Sequence, residues 1–350
     1  MNTKPPRLSA SAGETPTENS EEPSAFIPLN PRLEMPVLHA ITELATVRGP
    51  VYLAIGVFDG VHLGHRSVLL RALEDAGAGD GSAVAVTFDP HPAKVLRPGG
   101  APRLLTASAH KLRLISDLGV ETVLVIPFTA DFAATAAEDF VLQLHAGCNS
   151  LREICVGHEW SFGRGRAGNL DMLRALGDRL GFDEVGVPAV QIDGELVSST
   201  AIRGAVESGD LPRASRLLGR DYSILGTVAR GDQLGRSLGF PTANLSAHNE
   251  QFPPNGVYAV TALWRGRPFK GVANLGVRPT IASATGERLL ELHLLDFGEE
   301  IYGEDVEVTF VRLLRAEKKF SSLDELKGQI ARDVAEARRV LEHFRFNLTQ

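Results

Sequence analysis

Two histidines set three residues apart, His62 and His65, lie inside the string GVFDGVHLGH that runs from Gly56 to His65. On the first turn of a helix that spacing puts both imidazoles on one side, where each can donate a hydrogen bond to a polyphosphate. Gly56, Gly60 and Gly64 permit a tight turn and close approach of the backbone to a ligand, and the helix that follows offers unpaired amides to anionic oxygens. A second set stands at Ser198 to Arg203, SSTAIR, with hydroxyls at Ser199 and Thr200 and a guanidinium one turn on at Arg203. A third stands in the second half of the chain. Thr242 and Asn244 of Pro241-Thr242-Ala243-Asn244 carry hard oxygens suited to magnesium. Gly231, Gly235 and Gly239 allow a loop to close its amides over phosphates. Glu291 alternates with leucines in Leu290-Glu291-Leu292-His293-Leu294, which puts Glu291 and His293 on one strand face. Each set has an unremarkable alternative: a glycine-rich turn with incidental histidines, an N-cap at Ser199 or Thr200, and a strand carboxylate facing solvent.

The elements that must position these groups change character midway. Apolar runs at Val51 to Ile55, Ala83 to Phe88, Thr122 to Ile126 and Ile154 to Val156 alternate with helical spacing at Arg66 to Ala76, Ser108 to Leu118, Ala137 to Ala146 and Leu170 to Leu180. That alternation predicts a doubly wound, Rossmann-like α/β unit with a parallel sheet, and GVFDGVHLGH falls between a strand and a helix, where such sheets bind ligands. A helix is expected from near Ser199 to Ser208, then a short one ending near Gly219, about where the modules join. Beyond Arg220 the expected strands are Tyr222 to Val228, Val257 to Trp264, Phe269 to Leu275, Leu289 to Phe297 and Val306 to Leu314, with Asn255-Gly256 as a hairpin signal. Five or six strands without helices between them predict a small antiparallel barrel. A final amphipathic helix, about Ser322 to His343, presents Leu323, Leu326, Ile330, Val334 and Ala337 to it.

Composition narrows the class. The 350 residues suit about two domains. A net charge of −7 argues against a general nucleic-acid binder, so anions must be gripped locally. No apolar run is long enough to span a bilayer. Met1 to Pro36, rich in Pro, Ser, Thr and Glu, is expected to be a disordered tail without a secretory signal. The two cysteines, Cys148 and Cys155, make neither a disulfide framework nor a zinc site, which fits a reducing, cytoplasmic setting. Nothing in the sequence sets an oligomeric state.

With TFDPHP at Thr87 to Pro92 and VGHEWSFGRGRAGN at Val156 to Asn169, the first two sets resemble the FMN adenylyltransferase module of bacterial bifunctional riboflavin kinase/FAD synthetases. GFPTAN at Gly239 to Asn244, PPNGVYAV at Pro253 to Val260, GVANLGVRPTI at Gly271 to Ile281, ELHLLDFGEEIYGEDV at Glu291 to Val306 and RAEKKFSSLDEL at Arg315 to Leu326 resemble the riboflavin kinase module of the same family. The resemblance implies phosphorylation of riboflavin to FMN, then adenylylation of FMN to FAD, with ATP as co-substrate and Mg2+ on its phosphates. It implies an adenylyltransferase domain over 37–210, a linker over 211–221 and a kinase domain over 222–350. Gly56, Phe58, Asp59, Gly60, His62, Gly64, His65, Glu159, Ser199, Thr200 and Arg203 would contact ATP, and Asp89, Pro90, His91 and Pro92 would contact FMN. In the kinase, Gly231, Gly235, Arg236, Gly239, Phe240, Pro241 and Arg315 would meet ATP or flavin. Thr242 and Asn244 would hold the metal, and Glu291 would be the general base.

One departure stands out. Where the family has Asp or Asn then Phe, this chain has Glu159-Trp160, a carboxylate longer by one methylene. Two competing readings are a different nucleotidylyltransferase fused to an unrelated barrel and a barrel that binds flavin without phosphorylating it. GFPTAN and the E-x-H string oppose the first. The joint presence of Thr242, Asn244 and Glu291 opposes the second.

Overall fold

The computed structural model describes residues 35–230, 239–280 and 283–344. The expected tail therefore lies outside the described residues, apart from Met35 and Pro36. These two belong to the folded unit: Met35 packs on the core and the Pro36 carbonyl accepts a bond from the Val123 amide.

The first module is a six-stranded parallel sheet in the order β1-β4-β3-β2-β5-β6. Its strands are β1 (Val37–Leu38), β2 (Val51–Ile55), β3 (Ser82–Asp89), β4 (Thr122–Pro127), β5 (Leu151–Gly157) and β6 (Asp183–Val187). β2 lies between β3 and β5, so the chain winds one way from β2 and later the other, leaving the ligand crevice of such sheets beyond the carboxyl end of β2. Alternate residues serve opposite faces. Ala54, Ala85 and Cys155 meet α1 (Leu63–Ala78) and α3 (Ser108–Ser116), and their small size lets those helices lie close. Leu53, Ile55, Val84 and Val86 meet α5 (Ala137–Gly147) and α6 (Leu170–Leu180). Two shorter helices, α2 (Pro92–Leu96) and α4 (Ala130–Ala133), follow β3 and β4. Both cysteines are buried free thiols.

Two short elements escaped the sequence pattern. β7 (Gln191–Ile192) and β8 (Glu195–Leu196) form a hairpin whose turn puts Asp193 and Gly194 at positive φ, the Asp-Gly turn preference. Helix α7 (Ser199–Ser208) begins where expected, but its N-cap is Ser198, whose hydroxyl accepts from the Ala201 amide at 3.2 Å. Ser199 and Thr200 are thereby released from capping. Residues 211–221 carry α8 (Leu211–Leu218).

The second module is a closed antiparallel barrel ordered β10-β13-β12-β11-β14-β9. Its strands are β9 (Ser223–Ala229), β10 (Ala243–Ala247), β11 (Gly256–Trp264), β12 (Arg267–Thr280), β13 (Ser283–Leu294) and β14 (Asp305–Arg315). β10 is the strand that the pattern hid: Asn244 and Ser246 interrupt its apolar residues, and it follows a proline. The Asn255-Gly256 pair is no hairpin turn, because β10 and β11 do not pair. Gly256 instead opens β11 against the Arg315 carbonyl, where a Cβ would come within 2.6 Å. The last helix, α9 (Leu323–Leu341), covers the outer wall with Ala337 and Leu341 on Val257, Ala259 and Val272. Leu323, expected on the buried face, is 61% exposed, since the first turn runs past the barrel. The barrel interior is continuous with α7, α8 and Leu105, so one hydrophobic core spans both modules.

Glu153 is buried on β5 beside Asp75, and its carboxyl is pushed up to about 7, first by burial and then by that neighbouring carboxylate. The folded state therefore holds a proton that the unfolded chain releases near 4.5. The stability this lends is complete below 4.5 and lost as pH rises through about 7. Glu153→Gln should raise the melting temperature by several degrees at pH 8 and by much less at pH 5. Equal shifts at the two pH values in paired calorimetric scans would contradict the assignment.

Candidate active sites

Beyond β2 the chain turns sharply. Phe58 and Val61 take positive φ of 53° and 39°, a conformation that side chains other than glycine adopt only when the surroundings enforce it. The Phe58 ring is buried under Gly56, where a Cβ would meet it at 2.6 Å, and its edge faces the His65 ring. Phe58 thus brings backbone to the crevice and its ring to the core. Asp59 is 4% exposed, and its carboxylate accepts from the Leu105 and Thr106 amides at 3.0 Å and from Arg203 Nη2 at 2.6 Å. The Thr106 hydroxyl accepts from the Gly60 amide at 3.0 Å, and the Ser199 hydroxyl donates to the Asp59 carbonyl at 2.9 Å.

His62 caps α1, its Nδ1 accepting from the His65 amide at 3.2 Å, and the two rings stack with centroids 3.6 Å apart. Burial pulls the His62 imidazole down to about 4, with Arg220 and Arg203 adding to the effect against Asp59, and pulls His65 well below its ordinary value. Both rings are neutral at pH 7. With Nδ1 accepting, the His62 proton sits on Nε2, a hydrogen-bond donor that carries no net charge. Positive charge comes from Arg203, which also donates from Nε to the Arg103 carbonyl at 2.8 Å. A guanidinium has five donors, so these bonds leave it able to donate further.

The other predicted strings emerge at the same sheet edge. Asp89 and Pro90 end β3 exposed, and His91 caps α2 with Nδ1 accepting from the Ala93 amide at 3.0 Å, Pro92 being the first helical residue. Burial lowers the His91 imidazole. Glu159 lies exposed in the turn after β5, while Trp160 stacks on Phe162 with centroids 4.3 Å apart. The Trp in place of the family's Phe is therefore accommodated by an aromatic partner. Lys111, missed in the sequence, ties the ends of β2 and β3 by donating to Val57 O, Thr87 Oγ1 and Phe88 O at 3.0 to 3.3 Å. Burial brings it down to about 8. Thr106 was missed too; only its place just before a helix hinted at it.

On the barrel, Asn244, Glu291 and Asn274 are direct cross-strand neighbours on β10, β13 and β12. Leu290, Leu292 and Leu294 point into the core, so Glu291 and His293 lie on the outer wall, as the alternation predicts. Asn274 Nδ2 donates to Glu291 Oε2 at 3.5 Å. His293 Nδ1 donates to the Pro241 carbonyl at 2.8 Å and its ring meets the Phe240 edge, which fastens Gly239 to Thr242 beside β13. Gly231, Gly235 and Arg236 lie outside the described residues. Arg315 continues the same row through Val257 but sits three strands from Glu291, roughly 14 Å at the usual strand spacing, and the Asp333 carboxylate takes its guanidinium at 2.9 Å. Arg315 and Glu291 are not brought together. Among the described residues no group of three His, Cys, Asp or Glu forms a metal cage.

A doubly wound nucleotide-binding module joined to a closed barrel, with one polar constellation on each, defines a two-module transferase. A family model for riboflavin kinase matches residues 218–341, and one for FAD synthetase matches residues 45–201. The bifunctional riboflavin kinase/FMN adenylyltransferase of Escherichia coli is 40% identical over 287 residues, covering 82% of this chain and 91% of its own. That of Haemophilus influenzae is also 40% identical, with 82% and 92% covered. A crystal structure from Streptococcus pneumoniae, titled as a macrolide-efflux protein, is similar at a TM-score of 0.74 and 28% identity, covering 86% of this chain and 98% of that one. The chain belongs to the bifunctional riboflavin kinase/FMN adenylyltransferase family, whose members produce FMN and FAD.

Nitrogen-detected titration of the imidazoles should show His62 as the neutral Nε2–H tautomer from pH 8 down to about 5, with its midpoint near 4. A midpoint at 6.5 would mean the stacked pair is solvated and charged in the working range.

Proposed function

We propose that the Gly56 to His65 crevice performs adenylyl transfer and that the outer wall around Glu291 performs phosphoryl transfer. The observation that carries the reading is the separation of two polar constellations on two modules, each built from residues the sequence had singled out for that chemistry.

In the first site the FMN phosphate arrives ionised, so no strong base is needed. One of its oxygens attacks the α-phosphorus of ATP and the bond to pyrophosphate breaks. The neutral rings of His62 and His65 donate hydrogen bonds to phosphate oxygens, and Arg203, pinned by Asp59, supplies the positive charge that the transition state gathers. Gly60, Gly64, Ser199 and Thr200 border the phosphates, Asp89 to Pro92 border the flavin nucleotide, and Glu159 reaches the nucleotide from β5. In the second site Glu291 takes the proton of the riboflavin 5′-hydroxyl, whose oxygen attacks the γ-phosphorus, and ADP leaves. Asn274 orients that carboxylate. Thr242 and Asn244 fit a magnesium ion that keeps several waters: Asn244 offers a neutral oxygen beside Glu291, and Thr242 offers another on the segment that His293 holds in place. Bound there with ATP, magnesium neutralises charge on the transferring phosphates. The substrates are riboflavin, FMN and ATP, and the two buried thiols suit a reducing cytoplasm.

His65→Ala should stop the product at FMN, with adenylylation reduced about a hundredfold or more. Glu291→Ala should lower riboflavin phosphorylation by about a hundredfold to ten-thousandfold while added FMN is still converted to FAD. Chromatography of the flavins separates the outcomes, and loss of both activities in either folded variant would refute the two-site division.

A further inference from the structure

The turn between Asp59 and His62 is held from a direction that the adenylyltransferase module alone does not supply. Arg220, the residue between α8 and the barrel, donates from Nη2 to the Gly60 carbonyl at 2.9 Å and from Nη1 to the Val61 carbonyl at 3.4 Å. These carbonyls flank the strained Val61, and they belong to the peptides that lead into the His62 cap. Because the carbonyl and amide of a trans peptide point in opposite directions, fixing the Val61 carbonyl fixes the direction of the His62 N–H. A turn that receives polyphosphate must also keep its carbonyl oxygens away from the anion, and a guanidinium behind them does so.

Burial disfavours the Arg220 charge, and the Glu307 carboxylate of β14 is the first of the neighbouring groups that favour it. Burial alone would raise the Glu307 carboxyl, but Arg113 and His110 of α3 hold it well below the usual range through an ion pair and a 3.1 Å contact. Beside it, the barrel segment Asn249 to Gln251 grips the stretch from Leu104 to Thr106 that binds Asp59. The Glu250 and Gln251 amides donate to the Leu104 carbonyl at 3.1 and 2.9 Å, Glu250 Oε2 accepts from the Leu104 amide at 3.1 Å, and Asn249 Nδ2 donates to the Leu105 carbonyl. Arg220 reaches the turn at its carbonyls, as Thr106 reaches it at the Gly60 amide.

We propose that Arg220 is a positioning residue for adenylyl transfer, setting the Gly60 to His62 backbone from the module junction so that an intact barrel completes the first site. The inference rests on assigning adenylyl transfer to the Gly56 to His65 crevice. It makes the barrel a structural part of a reaction that it does not itself perform.

The test uses the full-length chain with FMN, ATP and magnesium for adenylylation, and riboflavin, ATP and magnesium for phosphorylation. Arg220→Gln, which cannot span both carbonyls, should lower the adenylylation kcat at least tenfold with the KM for ATP changed less than threefold, and riboflavin phosphorylation should stay within twofold. Arg220→Lys, which keeps the charge but loses the fork, should fall between this variant and the parent. Guanidinium added at millimolar concentration to Arg220→Ala should restore part of the adenylylation rate, a response that a merely structural role would not give. Unchanged adenylylation in both Arg220→Gln and Arg220→Lys overturns the proposal. So does parallel loss of both activities in Arg220→Lys. His65→Ala assayed alongside separates the two levels: if it too leaves adenylylation intact, the crevice assignment has failed, whereas an inactive His65→Ala beside an active Arg220→Gln refutes only the role of Arg220.

Discussion

The carboxylate of Asp59 is the constraint around which the first site is assembled. A charge this deeply buried is tolerated only when it is paired and hydrogen-bonded, and Asp59 meets that requirement with two backbone amides and one arginine. Each partner is thereby placed. Arg203 is drawn from α7 into the crevice, and the Leu104 to Thr106 stretch is fastened to the turn after β2. Removing such an acceptor leaves a part-buried guanidinium without its counter-charge, a change that costs up to about 3 to 5 kcal/mol where both partners are fully buried and less where water reaches one of them, as it does Arg203. The glycine-punctuated turn, the histidine stack and the arginine are therefore one mechanical unit.

The two sites solve different electrostatic problems with different materials. Under the proposed assignment the crevice receives an ionised nucleophile and needs donors that do not disturb the charge balance, a task that neutral stacked imidazoles suit. Their neutrality follows from burial beside arginines. Under the same assignment the barrel wall receives a neutral hydroxyl and needs an acceptor, a task that suits Glu291 on its half-exposed surface between two asparagines. A charged imidazole in the first site or a buried acid in the second would each be poorly matched to its task.

Much of this was legible in the residues. The strands from β2 to β5, the span of α7 and the outward face of Glu291 and His293 followed from periodicity, because packing on both sides of a sheet or one side of a barrel writes itself into the spacing of apolar residues. β10 was hidden because Asn244 and Ser246 interrupt its apolar residues and a proline precedes it, so the residues proposed to hold the metal obscured the strand that carries them. Phe58 and Asp59 stood in the GVFDGVHLGH string, but only coordinates show that both side chains turn inward. Lys111, Asn274 and Arg220 had no local signature, and Thr106 only its place before a helix. They act on backbone groups or side chains distant in sequence, and such pairings are set by the fold rather than by neighbouring residue types. Arg315 shows the converse: it belongs to a matching string, yet its guanidinium is taken by α9.

If one chain carries riboflavin through FMN to FAD at two sites, a time course of purified full-length protein with riboflavin, excess ATP and magnesium, resolving all three flavins and pyrophosphate, shows the order of products. FMN should appear without a lag, FAD should follow with one, and pyrophosphate should accumulate in step with FAD and not with FMN. Failure to form either product, or formation of FAD with no FMN intermediate under any enzyme concentration, would contradict the account.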